Sequence, residues 1–283
     1  MKIYIANLDL SRTGGGWTFT RNFEKGMGDL ITNGYENDYQ EADIYFIPGA
    51  TMVSREEVQK AKADGKKIVL RLDNALRNSN NRGTGMSRMK DFCEMADLVI
   101  YQSQWAKNFL KPFTGKDGVV ILNGVDKTIY NNTDPLPGEE TYLYARSSRD
   151  ESKGWIMAWY WFVTRRNIAE RQGYPWGRPV LEIAGKFSPE NREYNFDFYS
   201  SEQFVFTGYQ PNLIDAYKRN RCFLYTYLND ACSNTLLEAR AMDMSIIDVY
   251  GMLQTGGAPE IMACEDISLE RMCNEYKLEL EKL

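Results

Sequence analysis

The sequence contains no histidine. Histidine is the commonest general base near neutral pH and the commonest metal ligand, so its absence removes the residue that most often fills these two roles. Nucleophilic pairs of serine or cysteine with histidine are excluded for the same reason. An enzyme built from this chain must therefore work with carboxylates, lysine, arginine, hydroxyls and backbone dipoles.

Other absences narrow the class of protein further. No apolar run reaches the roughly 18 residues of a membrane-spanning helix, and the opening MKIYIANLDL lacks the apolar block of a signal peptide. The five cysteines form no C-x-x-C pair, which favours a cytoplasmic protein without disulfides. There is no D-x-D between small residues near a strand end and no metal-ligand cluster, so we expect neither a bound metal nor a cofactor.

What is present is the composition of an ordinary globular protein. Hydrophobic residues make up 43% of the chain and charged residues 26%. The net charge of −5 argues against general coating of nucleic acid. With 283 residues the chain can bury one large core or two modest ones, and two are expected.

Short apolar runs alternate with amphipathic stretches along the chain, which predicts right-handed crossovers and parallel sheets. Residues 131–140 (NNTDPLPGEE) lack this periodicity and form the expected linker. We therefore predict an α/β protein with two Rossmann-like parallel-sheet domains facing across a cleft, residues 1–130 and residues 141–283, the second ending in a charged helix. The predicted strands are KIYIANLDL, DIYFIPG, KIVLRLD, DLVIYQS and GVVILNG, then TYLYARS, VLEIAG, QFVFTGY, CFLYTYL and SIIDVY.

A run of three glycines follows the first predicted strand and opens a helix. Gly14, Gly15 and Gly16 cost conformational entropy, which is wasteful unless the backbone must approach another group closely. The strand–glycine–helix order favours a loop that approaches phosphate or sugar over a flexible turn.

A basic cluster occupies residues 71–90 of this acidic chain. Two interpretations are open, a patch that recognises a phosphate-bearing acceptor and an ordinary solvated loop. Aromatic residues interleaved for single-stranded nucleic acid are absent from it. Its cations are Arg71, Arg77, Arg82, Arg88 and Lys90.

A second basic segment follows the first strand of the second half. Arg146, Arg149 and Lys153 stand where cations could neutralise a departing diphosphate, which transfer without a metal requires. Whether Arg146 or Arg149 acts with Lys153 stays open on spacing alone.

The most informative stretch runs from Asn229 to Glu260. Ser233 or Asn234 begins a short helix that carries Glu238, and a carboxylate at that position can accept two hydroxyls of a ribose. Asp230 precedes this helix. Gly256 and Gly257 let backbone N–H groups approach an anion at the next helix start. The alternative is a capped surface helix whose leucines pack inward.

Taken in order, these segments resemble the GT-B retaining glycosyltransferases of the glycosyl transferase group 1 type, also called family 4. GGGWTFTRNFEKGM is similar to the family's N-terminal glycine loop, and VILNGVDKTIY to the segment that closes its first domain. ARSSRDESKGW, VFTGY, DACSNTLLEARA and GGAPE are similar to its donor site. The segments around residues 71–90 and ADLVIYQSQWAK look closest to phage-type members.

The resemblance implies a role for each matching position. Glu238 would bind the ribose of a UDP- or GDP-linked sugar, and Asp230 would face the sugar hydroxyls. Arg146 or Arg149, with Lys153, would stabilise the leaving diphosphate, while Ser233, Asn234 and the two glycine groups would contact the donor. Asp230 departs from the family pattern, in which a longer glutamate is usual, and the family's N-terminal histidine cannot exist here.

The sequence therefore predicts a metal-independent retaining glycosyltransferase. The expected acceptor is a glycan, with a hydroxymethylated base of phage DNA as the alternative that the cluster at residues 71–90 supports. A non-catalytic nucleotide-sugar binding module and a GT-B nucleotide-sugar epimerase are the competing functions. The missing histidines disfavour the epimerase, because that chemistry needs placed acid–base groups.

Overall fold

The computed structural model describes residues 1–12, 14–33, 38–72, 85–133, 136–138, 140–147, 150–174, 178–186 and 203–283. Within these ranges the ten predicted strands are all present, and every pairing between neighbours is parallel. The strands are β1 (Ile3–Ile5), β2 (Ile44–Ile47), β3 (Lys67–Leu72), β4 (Leu98–Tyr101), β5 (Val119–Val120), β6 (Thr141–Ser147), β7 (Val180–Gly185), β8 (Phe204–Gly208), β9 (Cys222–Tyr225) and β10 (Ser245–Asp248).

Some of the helices begin at a serine whose side chain caps the first turn. Ser54, for example, forms a full capping box with Glu57 at the start of the helix Arg55–Ala63. The helices are α1 (Gly15–Met27), α2 (Asp38–Glu41), α3 (Arg55–Ala63), α4 (Gly85–Met95), α5 (Gln104–Thr114), α6 (Trp155–Arg171), α7 (Ile214–Arg219), α8 (Asn234–Ala241), α9 (Ala258–Ala263) and α10 (Leu269–Leu280). None of the helices in the described ranges is long and apolar enough to cross a membrane.

The chain folds into two compact units. The first unit comprises Met1–Asp126, Asp230–Asn234 and Gly256–Leu283, and the second comprises Lys127–Asn229 and Thr235–Thr255. This division differs from the expected split at residues 131–140, because the Asp230 loop, α9 and α10 all belong to the first unit. The terminal helix was expected in the second domain and is corrected accordingly.

The first unit contains the sheet β1-β2-β3-β4-β5. Alternate residues of its strands point into two separate cores. One core packs against α1 and α10, and the other against α3 and α4. Ile31 bridges Ile3 on the side of β1 away from β2. The chain thus passes first to one side of β1 and then to the other, and the glycine run follows β1 at this reversal.

The second unit contains the sheet β10-β9-β6-β7-β8. Its core forms where the aromatic helix α6 packs on the central strands, with Trp155 and Phe162 against Tyr142 and Tyr144. The chain runs from β6 outward through β7 and β8, then returns to place β9 on the other side of β6. The sheet therefore reverses its strand order between β6 and β9, and ligands of open α/β sheets bind outside such a switch point.

Candidate functional site

The basic segment after β6 is fixed against the end of β9 in the second unit. The Lys153 carbonyl accepts hydrogen bonds from Thr226 Oγ1 (2.6 Å) and Tyr144 Oη (3.2 Å). The Lys153 ammonium lies 4.5 Å from the centre of the Tyr227 ring, a favourable position for a cation on an aromatic face. Arg146 lies in β6, but its side chain and all of Arg149 fall outside the described residues.

Gly154 permits this close approach. Its φ is +69°, and a Cβ there would lie 2.2 Å from the Thr226 carbonyl oxygen. A side chain is therefore excluded both by the left-handed backbone and by the contact. The glycine after Lys153 is needed to seat the segment on β9.

Tyr227 is a site residue that sequence reasoning missed. Its side chain is buried, and its hydroxyl donates to the Ala145 carbonyl (2.7 Å) while accepting from Thr235 Oγ1 (3.2 Å). It thereby joins β6, Lys153 and the first turn of α8. The available signal was its place just beyond the apolar run CFLY, three residues before Asp230.

Glu238 is deeply buried in the second unit. Helix α8 begins at Asn234, as the start signal predicts, and the Glu238 side chain is only 2% exposed. The Tyr217 hydroxyl donates to Glu238 Oε2 at 2.7 Å. A buried carboxylate needs such donors, and it can accept more than one because its two oxygens carry about four lone-pair sites.

Asp230 lies in a tight turn of the first unit. Its Oδ1 accepts from the Cys232 amide at 3.2 Å, and its carbonyl oxygen accepts from the Gly257 amide at 2.9 Å. A Cβ at Gly256 would lie 2.4 Å from the Asp230 carbonyl oxygen, and one at Gly257 would lie 2.1 Å from the Ala231 carbonyl oxygen. These glycines let two backbone segments pack together. The Gly257 amide, expected to bind sugar or phosphate, instead donates to Asp230, which is a correction.

The glycine run and the start of α8 meet in the first unit. Gly14 has a φ of +122° and precedes α1 without a side-chain cap. Asn234 Nδ2 donates to the Gly15 carbonyl at 3.2 Å, while Ser233 beside it is buried. Two expected donor-binding segments therefore contact each other, and Gly16 continues the first turn of α1.

Two of the four arginines assigned to the acceptor patch, Arg71 and Arg88, lie within the described residues. Arg71 is 1% exposed, and its guanidinium donates to the Pro48 carbonyl, Gln102 Oε1 and Asn123 Oδ1. Because its guanidinium is buried, Arg71 cannot contact an acceptor substrate at the protein surface, and its assignment to the acceptor patch is corrected. Arg88 lies on α4, half-buried, with its guanidinium 5.7 Å from the Phe92 ring centre. Arg77 and Arg82 lie outside the described residues.

Two further residues of the first unit carry contacts that the sequence did not indicate. Asn123 Nδ2 donates to Asn234 Oδ1 at 2.8 Å. The Glu260 carboxylate accepts from the Gln104 and Trp105 amides at the start of α5, at 2.6 and 2.8 Å. It thereby satisfies donors that a helix leaves unpaired at its N-terminus.

In the described part of the chain, two parallel-sheet α/β units of five strands each, with a switch point in the second, correspond to the GT-B fold. Comparison with solved structures confirms this predicted fold class. Similar structures include Anabaena HepE in complex with UDP (TM-score 0.72, 13% identity, all of both chains covered) and in complex with UDP-glucose (0.70, 12%, all of both chains). Sucrose-phosphate synthase from Thermosynechococcus elongatus is also similar (0.67, 12% identity, 99% of this chain and 98% of that one).

These likenesses concern the fold. Searches against protein-family models and curated proteins found no match. The resemblance to family 4 and to phage-type members stays a prediction.

Proposed function

We propose that this chain is a glycosyltransferase that moves a sugar from a UDP-linked donor to an acceptor hydroxyl. The observation that carries the proposal is the packing at the switch point of the second sheet, where Lys153 and the first turn of α8 both contact Tyr227. Lys153, the cation assigned to the diphosphate, and Glu238, the buried carboxylate assigned to the ribose, thus lie on segments that contact the same tyrosine. UDP is favoured over GDP because the structural neighbour HepE is in complex with UDP and with UDP-glucose.

In the proposed reaction the bond from the anomeric carbon to the diphosphate breaks, and its electron pair leaves with UDP. Lys153, with Arg146 or Arg149, stabilises the charge that develops on the diphosphate, and this electrostatic stabilisation is the main contribution to rate. The acceptor oxygen then bonds to the anomeric carbon on the face that UDP vacates, giving retention. Its proton passes to the departing phosphate oxygen, so the reaction needs neither histidine nor a metal.

Donor recognition is assigned to the carboxylates. Glu238, whose Oε2 accepts from the Tyr217 hydroxyl, is assigned to the ribose hydroxyls, because a carboxylate carries about four lone-pair sites. Asp230 faces hydroxyls of the sugar, and its turn is held by the Gly257 amide. We assign a saccharide hydroxyl as the acceptor, because the burial of Arg71 removes one cation from the patch on which DNA recognition depended.

The test compares Glu238→Gln with Glu182→Gln. Glu182 is a matched control, since it is also buried in the second unit and accepts from Arg219 and Asn220. We expect Glu238→Gln to weaken UDP binding at least about tenfold, the scale of one lost charge-assisted bond. Glu182→Gln should lower the melting temperature and leave the UDP Kd within about twofold.

Titration calorimetry with UDP gives the Kd, and mass spectrometry of UDP-glucose incubated with saccharide and DNA acceptors gives the turnover. Unchanged UDP affinity in Glu238→Gln would remove Glu238 from the site. UDP binding without turnover on any acceptor would instead favour the non-catalytic binding module.

A further inference from the structure

A chain of hydrogen bonds through side-chain amides runs through the first unit, from the Arg71 guanidinium to the Gly15 carbonyl. Arg71 Nη2 donates to Gln102 Oε1 (2.7 Å) and to Asn123 Oδ1 (3.2 Å). Asn123 Nδ2 donates to Asn234 Oδ1 (2.8 Å), and Asn234 Nδ2 donates to the Gly15 carbonyl (3.2 Å). We call Arg71, Gln102, Asn123 and Asn234 the amide relay.

The direction of every bond in the relay is set by its first member. Arginine has only donors, so Asn123 must turn its oxygen toward Arg71 and its NH₂ group toward three acceptors. These are Asn234 Oδ1, Gln102 Oε1 and the Cys232 carbonyl. Asn234 must then present its oxygen to Asn123 and its own NH₂ group to Gly15. Arg71, Gln102 and Asn123 are each at most 3% exposed. Reversing the two asparagines would leave donors facing donors at Arg71 and acceptors facing each other at the Gly15 carbonyl.

The relay holds α1 at two places. Asn234 bonds the carbonyl of Gly15, the first residue of the helix. One turn further on, the Arg71 guanidinium carbon lies 3.7 Å from the centre of the Phe19 ring. Because Gly14 gives α1 no side-chain cap, these contacts fix where the glycine start stands relative to the loop that carries Asp230.

We infer that Asn123 is a positioning residue for the glycosyl transfer proposed above. It touches neither donor nor acceptor, and acts by orienting Asn234 so that the glycine start of α1 and the Asp230 loop keep one geometry. Its kinetic role rests on the proposed function, whereas its hold on α1 can be measured without it.

Asn123→Asp tests the direction of the relay while preserving its shape. The new carboxylate still accepts from Arg71, whose positive charge offsets the cost of burying it. It also places an acceptor 2.8 Å from Asn234 Oδ1, 3.1 Å from Gln102 Oε1 and 3.4 Å from the Cys232 carbonyl. The Asn234 amide can answer by turning over, which directs its oxygen at the Gly15 carbonyl. The start of α1 then loses its anchor.

Asn234→Asp removes only the last donor and leaves the three buried members in place, so it serves if the first variant folds poorly. Asn220→Asp is the matched control. Asn220 is buried to the same degree, lies in the second unit and donates to Glu182 and the Ala216 carbonyl. It should destabilise the protein without touching the relay.

The measurements are hydrogen exchange of peptides covering residues 14–23 and 55–63, and steady-state kinetics with UDP-glucose. We expect both relay variants to exchange about tenfold faster in residues 14–23 but not in α3, the effect of one lost hydrogen bond and a repulsive contact. We expect kcat per folded molecule to fall about tenfold or more with KM within about threefold, since misplacement costs rate more than binding. Asn220→Asp should change neither.

Unchanged exchange in residues 14–23, or an equal rise in α3, overturns the relay. Faster exchange with unchanged kcat overturns the positioning role. If the wild-type protein neither binds UDP nor turns over UDP-glucose, the proposed function fails and the exchange data alone decide whether Asn123 orients Asn234.

Discussion

Replacing Gly154 by alanine should be among the most destabilising single-methyl changes in the second unit. The residue follows Lys153, has a φ of +69° and would place its Cβ 2.2 Å from the Thr226 carbonyl oxygen and 2.9 Å from the Thr226 Cβ. Thr226 directly follows β9, so that its backbone has little freedom to withdraw. The lost free energy therefore has two sources, the backbone conformation and the overlap.

Gly173→Ala serves as the control that separates the cost of the left-handed backbone from the cost of the overlap. The φ of Gly173 is +73°, almost that of Gly154, but a Cβ there would meet nothing within 4 Å. A non-glycine residue in the left-handed region costs about 1–2 kcal/mol, and alanine recovers about 0.4–1 kcal/mol by restricting the unfolded chain. Gly173→Ala should therefore lose about 1 kcal/mol. Gly154→Ala adds overpacking of about 1–3 kcal/mol and should lose about 2–4 kcal/mol in total.

Urea unfolding followed by tryptophan fluorescence measures this difference, because Trp155, Trp159 and Trp161 of α6 report on the second unit. UDP titration of Gly154→Ala should also show weaker binding, since the displaced loop carries Lys153. Equal losses of stability in the two variants would refute the packing of the Lys153 segment on Thr226. A large loss with unchanged UDP affinity would leave the packing intact but remove Lys153 from the donor site.

Two further predictions concern the first unit. Gly26→Ala should cost about 1–3 kcal/mol of unfolding free energy, because its Cβ would lie 2.3 Å from Cys273 Sγ. Adding Cys273→Ala should restore most of this loss. A double-mutant cycle that shows no coupling between the two changes would contradict the contact. Burial raises the pKa of Cys232 from 9.0 to about 12. The folded state therefore keeps a proton that the unfolded state releases, so stability should fall as pH rises from 9 toward 12. Unfolding free energies against pH should show a shallower fall in Cys232→Ala, and identical slopes would contradict this.

The sheets could be predicted from the sequence because each strand is a short apolar run that turn residues close. Local periodicity is enough for this, and the same holds for α3, whose Ser54–Glu57 capping box is readable over four residues. The start of α8 at Asn234 and the place of the basic segment after β6 follow from similar local signals. The GT-B fold class was predicted from the resemblance of the glycine loop and the donor-site segments, taken in order, to a known family.

Contacts between residues distant in the chain could not be predicted in this way. Arg71 stands in a basic, polar segment typical of a surface loop, but its partners Gln102 and Asn123 lie 31 and 52 residues further along. Gly256 and Gly257 likewise look the same in sequence whether the backbone approaches a ligand or another segment. The structure shows that they pack on the Asp230 turn.

The placement of α10 shows the same limit and its physical cause. Its apolar face (Leu269, Met272, Cys273, Tyr276 and Leu280) predicts a helix that covers a sheet, but not which sheet. Gly124 lets the segment before α10 pack closely on the first unit, because a Cβ at this position would lie 2.5 Å from the Ser268 carbonyl oxygen. The neighbouring Val125 amide donates to the Ile267 carbonyl, and the Val125 carbonyl accepts from the Leu269 amide. The segment predicted to close the first domain therefore also receives α10, and the core of the first unit is completed by residues from both ends of the sequence.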